Sequence, residues 1–123
     1  MGRILVIDDD DQVRSMLRQT LEKDGHEVVE APDGKAGLRL FQQSPPDLVI
    51  TDIIMPEIGG IDTILALRAE SPNLKIIAIS GGGPGRESEV CLDFAERIGA
   101  LKTLEKPIRQ QALLDAVAMA LGT

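Results

Sequence analysis

Five short runs of Val, Ile and Leu punctuate the chain, and between them the apolar positions fall into helical spacing. The runs at 3–7, 27–31, 47–51, 75–80 and 101–105 predict strands. Residues 4–7 and 76–79 are apolar at every position, as in strands covered on both faces, so helices are expected on both sides of a parallel sheet. The intervening stripes predict those helices. Val13, Leu17 and Leu21 recur at i, i+4, i+8 with Met16 beside them, ending near Gly25. A second helix over 33–43 turns Leu38 and Phe41 inward and stops before Pro45-Pro46. A third takes Ile61, Ile64, Leu65 and Leu67, a fourth Val90, Phe94 and Ile98, and the last Leu113, Leu114, Val117 and Leu121. Core packing accounts for all of these residues.

Five strands alternating with five helices imply an α/β fold: a doubly wound, five-stranded parallel sheet of order 2-1-3-4-5, a flavodoxin-like three-layer sandwich. In such sheets ligands bind beyond the carboxyl ends of the strands, where the order reverses. Here that point lies between the first and third strands.

Composition narrows the partners. The chain has 123 residues, 43% of them hydrophobic, which suits one domain over 1–123 with one core. The net charge of −7 opposes a nucleic-acid phosphate backbone. Arg14, Arg18, Lys35, Arg39 and Arg68 are interspersed with acids and read as solvated helix faces. The single cysteine, Cys91, precludes an intramolecular disulfide and reads as a small buried hydrophobe. The first apolar run is too short for a signal sequence or a membrane span, so a cytoplasmic protein is expected.

The residues after each strand carry the candidate chemistry: Asp8, Asp9, Asp10 and Asp11 after the first, Asp52 after the third, Ser80 after the fourth, Lys106-Pro107 after the fifth. Neighbouring first and third strands would bring Asp8, Asp9 and Asp52 close together, and like charges so close resist joint ionisation. Either some are protonated or a cation binds, and an all-oxygen cluster suits Mg²⁺ or Mn²⁺ better than Zn²⁺. Asp10 or Asp11 is expected to cap the first helix. Lys106 could pair with a carboxylate at rest or with a phosphoryl oxygen later, and its bond to Pro107 could be cis. Ser80 could donate to an oxyanion, but no histidine lies at this edge to make it a nucleophile. His26, the only histidine, belongs to the turn before the second strand. A carboxylate forming an acyl phosphate needs no such base.

The segments ILVIDDDD, DLVITDIIMP, IIAISG and GALKTLEKP, in this order and spacing, resemble the receiver domains of two-component response regulators along the whole chain. The resemblance implies that Asp8 and Asp9 hold Mg²⁺ (or Mn²⁺) together with Asp52 and the backbone carbonyl of Ile54. It implies that Asp52 accepts a phosphoryl group from a histidine kinase or phosphotransfer protein, with Ser80 as the switch hydroxyl and Lys106 as the family lysine before a cis proline. Met55-Pro56 and Gly59-Gly60 match the turn that closes the pocket. Phosphorylation would repack the face of the fourth helix, fifth strand and fifth helix toward a downstream target or output domain; no direct nucleic-acid or membrane contact is implied, and homodimerisation stays open.

Two positions depart from the family. Thr103 stands where an aromatic usually swings with the hydroxyl, and the chain has no Tyr or Trp. The loop after Ser80, Gly81-Gly82-Gly83-Pro84-Gly85-Arg86, is a few residues longer than usual, and is either a flexible linker, a source of backbone amides for the phosphoryl group, or the moving element in place of the aromatic. Two other functions stay open: a receiver-like interaction module that is never phosphorylated, and a haloacid-dehalogenase-like phosphatase with Asp8 as nucleophile and Asp10 as acid/base. Whether the domain acts alone or as part of a longer regulator is open too.

Overall fold

The computed structural model describes residues 2–53, 60–80 and 99–122. Its elements run β1 (Arg3–Ile7), α1 (Asp11–Lys23), β2 (Glu27–Ala31), α2 (Gly34–Gln43), β3 (Leu48–Asp52), α3 (Gly60–Glu70), β4 (Lys75–Ser80), β5 (Lys102–Glu105) and α4 (Gln110–Leu121). The five strands pair in parallel in the order β2-β1-β3-β4-β5, as expected from the sequence. The expected helix with Val90, Phe94 and Ile98, as well as Cys91, lies outside the described residues. Among the described residues, no helix is long and apolar enough to cross a membrane.

Alternation along each strand divides the interior in two. Ile4 and Val6 of β1, Leu48 and Ile50 of β3, and Ile77 and Ile79 of β4 pack with Leu17 and Leu21 of α1 and with Leu113, Ala116, Val117 and Ala120 of α4. Leu5, Ile7, Val49, Ile76 and Ala78 face the other way, onto Phe41 of α2 and Ile64 and Leu67 of α3. Each fully buried Leu, Ile or Val contributes about 1.5–3 kcal/mol, so both layers are needed to hold the sheet. The layer of α2 lies close to β1: a Cβ built on Gly37 would come within 2.4 Å of Ile7 Cδ1.

Several boundaries and faces differ from the sequence expectations. The third strand is one residue later than 47–51, because the Asp47 carboxylate accepts the Arg3 backbone N–H at 2.8 Å while Asp52 joins the ladder opposite Ile79. The fifth begins at Lys102, although the Leu101 N–H still donates to Ile76 O. The second helix begins at Gly34, with Asp33 as its cap. On α3, Leu65 points outward and Thr63 is buried with Ile64 and Leu67. Arg68 is not a solvated face residue: its guanidinium donates to the Pro72, Leu74 and Gly99 carbonyls, tying the end of α3 to the chain entering β4 and β5. Gly99 has φ +107°, a region that side chains strain to enter.

Candidate functional site

The strand registers bring the expected residues to one edge. Ile7 pairs with Ala31 on one side and with Thr51 on the other, so Asp8 emerges beside Asp52. Asp8 is fully buried. Its N–H donates to Ala31 O at 3.1 Å, and its Oδ1 accepts the Asp10 N–H at 2.8 Å. Asp52 is buried and Asp9 is exposed; one carboxylate oxygen from each of Asp8, Asp9 and Asp52 lies within 4.8 Å of the others.

Lys106 follows the last residue of β5, a strand separated from β3 by β4. Two strand spacings are about 10 Å, which calls for the long lysine stem at this position. Its Nζ lies 2.8 Å from Asp52 Oδ2 and 3.1 Å from Asp8 Oδ2, and the Lys106-Pro107 bond is cis. Burial works to lower the pKa of Lys106, but the Asp52 hydrogen bond and the charges of Asp52 and Asp8 outweigh it, and the net direction is upward. Asp8 is also raised, chiefly by burial and further by the Asp52 charge, against the Asp10 N–H and Lys106, which pull it down.

The donor set suits a hard divalent cation. Among the described residues, no aligned hydrogen bond reaches the buried Asp8 Oδ2, although the Lys106 ammonium is 3.1 Å away. Such an oxygen is costly unless a ligand uses it. Three carboxylates, one of them open to water, match the preference of Mg²⁺ for few protein oxygens and several waters. Ile54, Met55-Pro56, Gly59 and the loop from Gly81 to Arg86 lie outside the described residues, as does the side chain of Ser80; the Ser80 backbone ends β4 opposite Glu105.

Asp10 caps α1, accepting from the Gln12 and Val13 amides at 2.9 and 3.3 Å. This occupies the group that a phosphatase of the dehalogenase type would use as its acid/base. Asp11 instead pairs with Arg14. Arg18, Lys35 and Arg39 are exposed as expected. Arg14 is not: its side chain is 16% exposed and folds back over the start of α1 to the Asp8 carbonyl. Sequence reading missed it because an Arg three residues from an Asp on a helix looks like a surface pair; its place one turn after an acidic strand end was the available signal. His26 is buried before β2, its Nδ1 accepting the Gly2 N–H at 3.1 Å, remote from the carboxylates in the chain's layout.

A groove of about 560 Å³ lies between α1 and α4, lined by Gln12, Met16, Thr20 and Leu114, and includes none of the three clustered carboxylates. A smaller one of about 200 Å³, lined by Val13, Met16, Lys106 and Ile108, borders the site.

A family model for the response regulator receiver domain matches residues 4–118. The chemotaxis protein CheY of Thermotoga maritima is 34% identical over 116 residues, spanning 94% of this chain and 93% of that protein. Protein PilH of Pseudomonas aeruginosa is 33% identical over 95% of each. The crystal structure of a response regulator receiver domain protein from Clostridium thermocellum superposes with a TM-score of 0.87 at 33% identity, covering 99% of this chain and 95% of that one.

Proposed function

Because the chain belongs to the response regulator receiver domain family, we propose that Asp52 is the residue on which it accepts the phosphoryl group. Receiver domains are phosphoacceptor switches of two-component signalling and bind Mg²⁺ at an acidic pocket. The observation that supports Asp52 in this role is its contact with Lys106 at 2.8 Å, inside a cluster where Asp8 and Asp9 supply further carboxylates.

An Asp52 carboxylate oxygen forms the new O–P bond as the P–N bond of a partner's phosphohistidine breaks, the imidazole nitrogen keeping the electron pair. Asp8, Asp9 and Asp52, with the Ile54 carbonyl, would hold Mg²⁺, which when bound would supply neutralising charge to the transferring group. Lys106 leaves its carboxylates for a phosphoryl oxygen, and the Ser80 hydroxyl donates to another. The chain's part is positioning and electrostatics, and the same pocket admits water that hydrolyses the acyl phosphate and resets the switch.

The donor is a sensor histidine kinase or phosphotransfer protein. The receiving partner, a target protein, an output domain or a second copy, is met on the face that includes β5 and α4. Leu101, just before β5, and Met119 of α4 are large apolar side chains about half exposed there. Thr103 of β5 is half-buried opposite Ala78, so this face is read without a swinging aromatic ring at that position.

The test is intact mass after incubation with Mg²⁺ and a small acyl-phosphate donor. One phosphoryl group gained by the wild type, lost with chelator and lost in Asp52→Asn, is the expected result. An adduct that survives Asp52→Asn but disappears in Asp8→Asn would transfer the nucleophile to Asp8 and overturn the assignment.

A further inference from the structure

Asp8 is held through every backbone polar group and one carboxylate oxygen. Its N–H goes to Ala31, its Oδ1 takes the Asp10 N–H, and its carbonyl accepts from Arg14 Nη1 at 2.7 Å. The carbonyl belongs to the peptide that leads into Asp9, so the bond from Arg14 fixes the orientation of the Asp8–Asp9 peptide. Asp9 depends on that orientation. It is exposed, and among the described residues no side-chain hydrogen bond aims its carboxylate at Asp8 and Asp52.

Arg14 is itself braced. Its Nη2 lies 2.5 Å from Asp11 Oδ1 and its Nε 3.4 Å from Glu30 Oε1 on β2, while Glu30 also binds Arg18 at 2.9 Å. A positive charge near a cation site would repel the cation, but here two carboxylates offset it locally. The planar fork serves three acceptors in different directions, which an ammonium cannot reproduce from one position. We propose that Arg14 is a positioning residue for the cation site, aiming Asp9 by holding the Asp8 carbonyl. The inference rests on the reading of Asp8, Asp9 and Asp52 as cation ligands.

Titration calorimetry of Mg²⁺ into wild type, Arg14→Lys, Arg14→Ala and Arg39→Ala tests it, alongside phosphorylation by the small acyl-phosphate donor as Mg²⁺ is varied. Loss of a partner that orients a metal ligand typically weakens binding about 10–100-fold, and a shift of at least about tenfold is expected for both Arg14 variants. Arg39→Ala, at an exposed arginine of α2 outside this network, should bind as the wild type does. The Mg²⁺ concentration giving half-maximal phosphorylation should rise in parallel, with the rate at saturating Mg²⁺ largely restored; a purely structural role would lower stability without that split. Arg14→Lys keeps the charge and most of the stem, so it remains informative if Arg14→Ala does not fold. Arg14→Lys binding Mg²⁺ within about twofold of the wild type would overturn the inference alone, whereas a wild type that binds no Mg²⁺ would overturn the cation site and the inference with it.

Discussion

Lys106 Nζ stands 2.8 Å from Asp52 Oδ2 and supplies the positive charge that the buried carboxylates need when no metal supplies it. Removing it leaves Asp8 and Asp52 buried with less compensation, which costs about 1–3 kcal/mol at a partly wet site. Lys106→Met should therefore lower the urea midpoint of the chelated protein, and millimolar Mg²⁺ should recover most of the loss. The variant should bind Mg²⁺ at least as tightly as the wild type, since a competing cation is gone, yet accept the phosphoryl group more slowly.

Asp8 makes the pH dependence of stability sensitive to metal. Its pKa in the fold is raised above the ordinary 3.8, mainly by burial. The folded protein thus binds this proton more readily than the unfolded chain, a contribution fully present below the unfolded pKa and lost as pH rises through the folded one. In chelator, the Asp8 contribution should decline across that window. With Mg²⁺ present the slope should reverse there, because the cation requires the ionised carboxylate. Unfolding midpoints against pH, with and without Mg²⁺, should show both trends in the wild type and neither in Asp8→Asn.

Asp10 separates two chemistries. As the cap of α1 it contributes about 1 kcal/mol, so Asp10→Ala should lower thermal stability by several degrees while Asp10→Ser retains most of it. Mg²⁺-dependent phosphorylation of Asp52 should persist in both. Loss of all phosphoryl chemistry in a folded Asp10→Ser protein would instead favour the dehalogenase-like reading.

Gly37→Ala sets two effects against each other. Alanine favours the helix by about 1 kcal/mol, but its Cβ would meet Ile7 Cδ1 at 2.4 Å in a fully buried layer, and such overpacking costs about 1–3 kcal/mol. Net destabilisation is expected in chemical denaturation, and Ile7→Val, which removes Cδ1, should relieve part of it in the double variant.

Much of this was legible because two of the strands carry runs that are apolar at every position. The runs at Ile4 to Ile7 and Ile76 to Ile79 could only be strands covered twice, and that condition leads to the parallel sheet and to an edge where Asp8, Asp52 and Lys106 meet. Less legible were features that depend on which apolar or charged residue wins a place. Leu65 and Thr63 both neighbour Ile64, and hydrophobicity favours the wrong one because a buried Thr can satisfy its hydroxyl while Leu at the next position falls off the stripe. Asp47 and Asp52 flank the same apolar run, and composition alone does not say which of them joins the ladder. Arg14 was hidden by its own short-range partner, since pairing with Asp11 is what an exposed helix would show.

The carboxylates and the lysine come from parts of the chain far apart in order: Asp52 and Lys106 are 54 residues distant, Asp8 and Lys106 98. No hairpin or single βα unit contains even one of those pairings, so no fragment inherits a weaker copy of the site. Ligand binding is then linked to the most global opening of the molecule rather than to local fraying. In hydrogen exchange, Mg²⁺ should slow the amides that exchange only through complete unfolding, chiefly those of β1, β3 and β4, and leave the fastest-exchanging helix ends at their metal-free rates.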